Sequence, residues 1–258
     1  MLPTLFTLGP LAVQTKSIFE VIAFLASAFI FWRKTREEHY QEDQAFDAFL
    51  LASLVGVLAG RIGFILIRFA EFGGNIISWF DIVRQPGSSI FFAILGASLY
   101  LYSYAKKQKW DVFEILDFWF IAVAIGMVFR HLGNFFAGVG FGYQTNLPWG
   151  IVFPGVFEKH HPVQLYTAIF FILLTIYLQW AEYHYRTFTW YRAKKKTAQT
   201  GFLTSVFMIA TGLFMLLVQL LTPAQVMVQG LRLDAVLYGV LMLSGVLLLL
   251  NKSGRWRS

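Results

Sequence analysis

The sequence has 258 residues, of which 57% are hydrophobic and only 14% are charged. A soluble domain carries roughly a quarter of its residues as Asp, Glu, Lys and Arg, so this composition excludes an ordinary soluble enzyme and favours a protein with several membrane spans. The absence of Cys excludes a disulfide, a thiolate metal site and a Cys nucleophile. The net charge of +7 fits basic loops beside a membrane, and we predict no nucleic-acid partner.

Seven apolar stretches follow one another along the chain, each long enough to cross about 30 Å of hydrocarbon as a helix. They cover residues 17–32, 46–69, 89–104, 112–129 or slightly beyond, 162–183, 201–221 and 234–250. No polar stretch between them is longer than a loop. The sequence therefore predicts an all-α fold, with residues 1–258 forming a single membrane domain of seven transmembrane helices.

Basic residues are concentrated in alternate connections. Most of the 21 Lys and Arg residues lie after the first, third and fifth predicted helices and in the C-terminal tail. By the positive-inside rule the N-terminus is outside and the C-terminus is cytoplasmic, which agrees with an odd number of spans. The N-terminal residues have no basic region before an apolar run, so no cleaved signal peptide is predicted.

The stretch of about 130–161 is then a long external loop after helix four. It is rich in Gly, aromatic and polar residues. A loop of this length is usually either functional or disordered, and its aromatic content argues against disorder. The sequence predicts that the functional site lies in or beside this loop.

Four polar residues are candidates for an outer pocket. Arg61 lies inside the second predicted span, where a charge is costly, although a side chain that snorkels to the interface is an alternative explanation. Arg130, His131 and Asn134 lie at the outer end of helix four at a similar depth. Two Arg, one His and one carboxamide suit an anionic head group such as phosphate, whereas simple capping of a helix end is the alternative.

A second polar group leads into the fifth helix. His161 and Gln164 are three residues apart and can share a helix face, and Tyr166 follows them. Asp117 is roughly 20 Å of helix away from Arg130, so we predict a structural role for it. No set of His, Asp and Glu has metal-ligand spacing, and we predict neither a metal nor a cofactor.

Several of these segments resemble the prolipoprotein diacylglyceryl transferase family. The resemblance is carried by residues 131–135 (HLGNF), 145–154 (TNLPWGIVFP) and 161–166 (HPVQLY), with shorter matches at 60–63 (GRIG) and 8–10 (LGP). Asp117 also falls where the family has an Asp. The family's seven spans and external N-terminus agree with the layout predicted from hydropathy and charge.

The resemblance implies an enzyme of the bacterial inner membrane that moves a diacylglyceryl group from phosphatidylglycerol to the lipobox Cys of a prolipoprotein. On this reading His131 is the base, Arg130 and Arg61 hold the phosphate, and Asn134 orients the lipid. The other residues expected to bind substrate are His161, Gln164 and Tyr166. The Arg of the family signature is either replaced by His131 or displaced by one position to Arg130.

The sequence also departs from the family at several polar positions. The expected His, Glu, Arg, Glu and Tyr align with Phe91, Val139, Met215, Gln219 and Lys16. The Arg and Glu of the sixth helix are lost together, which leaves no buried charge without a partner. The sequence therefore leaves two readings open: a divergent diacylglyceryl transferase, or an inactive paralogue that keeps a phospholipid- or lipoprotein-binding site. A transporter is the least favoured class, because no internal repeat is found.

Overall fold

A computed structural model describes residues 2–8, 11–74, 76–81, 84–186, 200–224, 226–228 and 230–253. In these ranges the helices are α1 Thr15–Glu37, α2 Glu42–Ile67, α3 Phe69–Phe72, α4 Ile76–Phe80, α5 Ile90–Lys107, α6 Val112–Ala137, α7 Val163–Arg186, α8 Phe202–Val218 and α9 Leu233–Lys252, with a 3₁₀ turn at Gln219–Leu221. Three antiparallel ribbons, which the sequence did not predict, pair β1 Thr4–Leu8 with β2 Leu11–Gln14, β3 Ile151–Val152 with β4 Lys159–His160, and β5 Met227–Val228 with β6 Leu231–Arg232.

The prediction of a helical protein with several membrane spans is confirmed. Six helices among the described residues are long and apolar enough to cross a membrane: α1, α2, α6, α7, α8 with its 3₁₀ turn, and α9. The third predicted span corresponds to α5, which is helical but does not belong to these six. The count of seven and the orientation stay predictions. Part of the charge argument rests on residues 187–199 and 254–258, and part of the resemblance rests on residues 9–10, all outside the described residues.

The fourth helix is longer than predicted. The sequence placed its end near residue 129 or slightly beyond and began the external loop at about 130, whereas α6 continues to Ala137. Arg130, His131 and Asn134 therefore lie in the last turns of a helix, and the connection to α7 spans 138–162. Gly133 lets this part of α6 pack closely against α1, because a Cβ at this position would lie only 2.5 Å from Phe19 Cβ.

The chain divides into two compact units, Met1–Phe31 with Phe120–Ser258, and Trp32–Trp119, and each is described by itself. In the second unit, α2 packs against α5 through small residues. A Cβ on Gly56 would lie 3.0 Å from the carbonyl oxygen of Ala93 and 3.2 Å from Ala97 Cβ. Since lipid tails are as apolar as Leu side chains, such close packing of small residues is what holds membrane helices together. The single-domain organisation stays a prediction.

In the first unit, α8 packs against α9 by the same device. A Cβ on Gly212 would lie 2.8 Å from Met242 Cβ, and a Cβ on Gly245 would lie 2.8 Å from Met208 Cβ. Helix α7 contacts α8 through the parallel rings of Phe170 and Phe214, whose centroids are 4.0 Å apart. These contacts join α7, α8 and α9 on the C-terminal side of the 138–162 connection.

Candidate functional site

The 138–162 connection is a hydrogen-bonded structure. Strands β3 and β4 pair antiparallel, and His160 also bridges to Gln144. The amide of Thr145 donates to Lys159 O at 2.8 Å, and the amide of His161 donates to Tyr143 O at 3.0 Å. These bonds satisfy backbone groups that a disordered loop would leave to water.

A small aromatic core holds the connection together. Phe153 is 2% exposed and stacks on Phe141 with centroids 4.8 Å apart. His160 packs edge-on against Phe141 at 4.8 Å, and its Nδ1 lies 2.8 Å from the carbonyl oxygen of Gly142. This contact assigns His160 a structural role and leaves the neighbouring His161 as the candidate for chemistry.

His131, Asn134 and Gln164 lie on the facing sides of α6 and α7. The imidazole of His131 stacks on Phe171 of α7 with centroids 5.9 Å apart, and Asn134 is three residues further along the same face of α6. Gln164 is 2% exposed, two turns before Phe171 on α7, and its Nε2 donates to Val139 O at 2.8 Å. The structure therefore brings three of the predicted residues to one helix interface.

Each of these three side chains has a buried polar atom without a hydrogen-bond partner among the described residues. The atoms are His131 Nε2, Asn134 Oδ1 and Gln164 Oε1. A buried polar atom left unpaired costs about 1–3 kcal/mol. Buried polar groups in native proteins are almost always paired, so these atoms make the three side chains candidates for contact with a polar ligand.

Arg130 is engaged with a carboxylate. Its Nη1 donates to Glu20 Oε1 of α1 at 3.1 Å, and Lys16 Nζ lies 3.8 Å from the same oxygen. The side chain is 26% exposed and lies beside His131 in sequence. Arg130 can attract an anion only in competition with Glu20, which the sequence analysis did not foresee.

His161 and Tyr166 form a second polar group at the start of α7. The Nε1–H of Trp149 donates to the hydroxyl of Tyr166 at 2.9 Å, and His161 Nδ1 lies 3.5 Å from that hydroxyl. Tyr166 thus links the connection to α7. Trp149 lies in the family-like segment 145–154, but its hydrogen bond to Tyr166 could not be predicted from the sequence.

Arg61 belongs to the Trp32–Trp119 unit, where it fastens α2 to the following segment. Its Nε donates to Trp79 O at 2.9 Å, and its Nη1 donates to Gln85 O at 2.7 Å and Gly87 O at 3.1 Å. Its guanidinium carbon lies 5.3 Å from the centroid of Phe72. Only Nη2 is buried without a partner among the described residues, so most of this Arg is used by the fold.

The remaining singled-out positions differ in character. Asp117 is 1% exposed within α6. Phe91 packs edge-on against Phe92 with centroids 5.6 Å apart, and Val139 contributes its carbonyl to Gln164. The apolar side chains of Phe91 and Val139 add no proton donor or acceptor of their own.

Sequence reasoning missed Arg232 and gave Gln219 no function. Arg232 Nη1 donates to Gln219 O at 2.6 Å, and both Arg232 Nε and Gln219 Nε2 are buried without a partner among the described residues. The two residues are 13 apart in sequence and are joined through the β5–β6 ribbon. No sequence pattern predicts such a contact.

These features define a class of protein: a helical membrane protein with buried polar side chains on two of its candidate spans, beside a structured connection. The family described as prolipoprotein diacylglyceryl transferase matches residues 3–251. The match covers nearly the whole chain, and the chain belongs to that family.

Three curated relatives illustrate the similarity, and each is named phosphatidylglycerol–prolipoprotein diacylglyceryl transferase. The protein of Clostridium tetani is 28% identical over 229 residues, which is 86% of this chain and 85% of the relative. That of Pseudoalteromonas translucida is 32% identical over 221 residues, covering 82% and 76% of the two chains. That of Photobacterium profundum is 29% identical over 227 residues, covering 84% and 79%.

Proposed function

We propose that this chain transfers a diacylglyceryl group from phosphatidylglycerol to the lipobox Cys thiol of a prolipoprotein. The observation that carries the proposal is the cluster of buried, unpartnered polar atoms on His131, Asn134 and Gln164. Family membership and the names of the relatives support the choice of substrates.

The reaction forms one bond and breaks one. The thiol sulfur attacks the carbon of the diacylglyceryl group that is bonded to the phosphate oxygen. A C–S bond forms at this carbon, and its C–O bond to the phosphate breaks. The thiol proton goes to a base, and glycerol phosphate leaves with the electron pair of the broken bond. The chain must therefore supply a proton acceptor near the sulfur and donors near the phosphate oxygens.

His131 is the proton acceptor in this proposal. An imidazole nitrogen with no hydrogen-bond partner among the described residues can take the thiol proton, and stacking on Phe171 fixes the plane of the ring. Arg130 lies next to it and balances the charge of the leaving phosphate once phosphate displaces Glu20. A neighbouring Arg also favours the thiolate form of the attacking Cys.

The other predicted residues bind and orient the substrates. Asn134 and Gln164 offer acceptor oxygens to the glycerol hydroxyls of the phosphatidylglycerol head group. His161 and Tyr166 lie where the connection meets α7 and contact the lipobox segment. Arg61 lies in the other compact unit, and its contact with the phosphate stays a prediction from the sequence.

We further propose that the protein spans the bacterial inner membrane seven times, with its N-terminus outside and the 138–162 connection at the outer surface. The excess of Lys and Arg in alternate connections supports this orientation.

A second function has a specific observation in its favour. Phe91, Val139 and Met215 carry no titratable group, and Gln219 is neutral, at positions where the family resemblance implies His, Glu, Arg and Glu. A chain with these replacements can keep the fold as a phospholipid- or lipoprotein-binding protein without transferring the group.

One experiment separates the two functions. The full-length protein is purified in detergent with phosphatidylglycerol and incubated with a lipobox peptide, and the peptide is weighed by mass spectrometry. Transfer adds the diacylglyceryl mass to the Cys peptide and leaves a Ser-for-Cys peptide unchanged. If neither peptide gains mass while phosphatidylglycerol remains bound to the protein, the binding function is correct and the transferase function is wrong.

A further inference from the structure

An arginine whose Nε atom is buried lies between the end of α8 and the start of α9. Arg232 ends strand β6 and precedes α9. Its Nη1 donates to the carbonyl oxygen of Gln219 at 2.6 Å, while its Nε is buried without a partner. No carboxylate of the described residues forms an ion pair with Arg232, unlike Arg130, which is paired with Glu20.

Gln219 adds a second donor beside this cation. It opens the 3₁₀ turn Gln219–Leu221, is 7% exposed, and its Nε2 is buried without a partner among the described residues. Arg232 Nε and Gln219 Nε2 are therefore two neighbouring buried donors without partners among the described residues, and one of them belongs to a charged side chain. One hydrogen bond, from Arg232 Nη1 to the Gln219 carbonyl, joins the two residues. A buried charge of one sign requires a counterion or acceptor, so this pair calls for an anion.

The surroundings of the pair favour an amphiphilic anion. Leu220 is 75% exposed and Leu231 is 64% exposed, each directly beside one of the two donor residues in sequence. Exposed apolar side chains next in sequence to a cationic pair suit a molecule with both a phosphate and acyl chains. The guanidinium fork matches the geometry of phosphate oxygens, which a point charge does not.

This turn is fastened to the 138–162 connection. The amide of Tyr143 donates to Leu221 O at 2.7 Å, and the amide of Gly142 donates to His161 O at 2.9 Å. A ligand held by Gln219 and Arg232 therefore contacts the turn on which the connection rests, and the connection in turn carries His161.

We propose that Arg232 and Gln219 form a binding site for the phosphodiester of a membrane phospholipid. Arg232 Nε and Gln219 Nε2 donate to phosphate oxygens, and Leu220 and Leu231 line the path of an acyl chain. The proposal rests on the proposed function only in taking phosphatidylglycerol as the lipid. In that reaction Arg232 binds the lipid phosphate and transfers no proton.

The test measures lipid binding without any peptide. Full-length protein in detergent is titrated with short-chain phosphatidylglycerol, with a diacylglycerol of the same chains, and with inorganic phosphate. Arg232→Gln is expected to weaken phosphatidylglycerol binding about 10- to 100-fold, the loss typical of a charge-assisted hydrogen bond, and to leave diacylglycerol binding unchanged. Arg33→Gln is the control, since Arg33 is an exposed residue paired with Glu37, and it should bind as the wild type does.

A second variant covers the case in which Arg232→Gln does not fold. Gln219→Leu keeps the backbone carbonyl that Arg232 contacts and removes only the amide donor, and a loss of roughly fivefold is expected. Equal phosphatidylglycerol affinity in the folded variants and the wild type would overturn the proposal. Inorganic phosphate binding as tightly as phosphatidylglycerol would overturn the assignment to a lipid.

The outcomes also separate this site from the transferase proposal. If the lipobox peptide gains no mass but Arg232→Gln still loses phosphatidylglycerol, the transferase proposal fails and the phosphate site stands. If transfer occurs and both variants bind and transfer normally, the phosphate site fails alone.

Discussion

Gly142→Ala tests whether the candidate site depends on the contact between the 138–162 connection and the end of α8. A Cβ at this position would overlap the carbonyl oxygen of Leu221 and lie 3.0 Å from both His161 Cβ and Val163 Cγ1. The carbonyl is backbone and cannot rotate away. The substitution therefore forces the connection off the 3₁₀ turn.

The expected cost comes from two sources. The bonds from Gly142 N to His161 O and from Tyr143 N to Leu221 O are lost or stretched, at about 1 kcal/mol each. Overpacking against backbone adds about 1–3 kcal/mol. A total of about 3–5 kcal/mol raises the open fraction of the connection roughly 100-fold or more, because 1.4 kcal/mol is a factor of about ten.

Hydrogen exchange followed by mass spectrometry measures this opening directly. Amides in 138–162 of Gly142→Ala should exchange faster than in the wild type, while peptides from α9 should not change. Gly155→Ala is the control: Gly155 has φ +83° and no atom within 4 Å of its Cβ position, so only backbone strain of roughly 1–2 kcal/mol is added. If Gly142→Ala exchanges no faster than Gly155→Ala, the reasoning about this contact is refuted.

Three further variants test separate parts of the account. Phe153→Ala removes the buried ring stacked on Phe141 and should lower the free energy of unfolding of the connection by about 3–5 kcal/mol; a thermal melt within 1 °C of the wild type would contradict this. Arg61→Lys cannot make the forked contacts to three carbonyls and should cost about 2–3 kcal/mol, seen as faster proteolysis between residues 73 and 89; equal cleavage rates would remove the fastening role. Asn134→Ala should abolish transfer with an unchanged melt, and retained transfer would remove Asn134 from the site.

The long helices could be predicted because their hydropathy is continuous. The second predicted span, 46–69, corresponds to α2, the fifth, 162–183, to α7, and the seventh, 234–250, to α9. The fourth predicted span ended near residue 129 or slightly beyond because it was placed by hydropathy, and Arg130 and His131 interrupt the apolar run. In the structure Gly133 permits close packing on α1, and the polar residues face their partners from within the helix.

The candidate site was predictable only where its residues are near one another in sequence. His131 and Asn134 are three apart within α6, so their shared face follows from helix geometry. His161 and Gln164 are also three apart, but they do not share a helix as predicted, because α7 begins at Val163. The pairing of Arg130 with Glu20, 110 residues away, and of Arg232 with Gln219 depends on tertiary contacts that no local pattern encodes. The hydrogen bonds from Arg61 to three backbone carbonyls could not be predicted for the same reason.

The central claim is that a thiol displaces glycerol phosphate from phosphatidylglycerol at this chain's site. The most direct measurement follows both products together: glycerol phosphate in solution and the diacylglyceryl peptide by mass spectrometry, in the wild type and in His131→Phe, which keeps an aromatic ring against Phe171. The account predicts that the two products appear in equal amounts with the wild type and that neither appears with His131→Phe. Release of glycerol phosphate without modified peptide, or no product with the wild type, would contradict it.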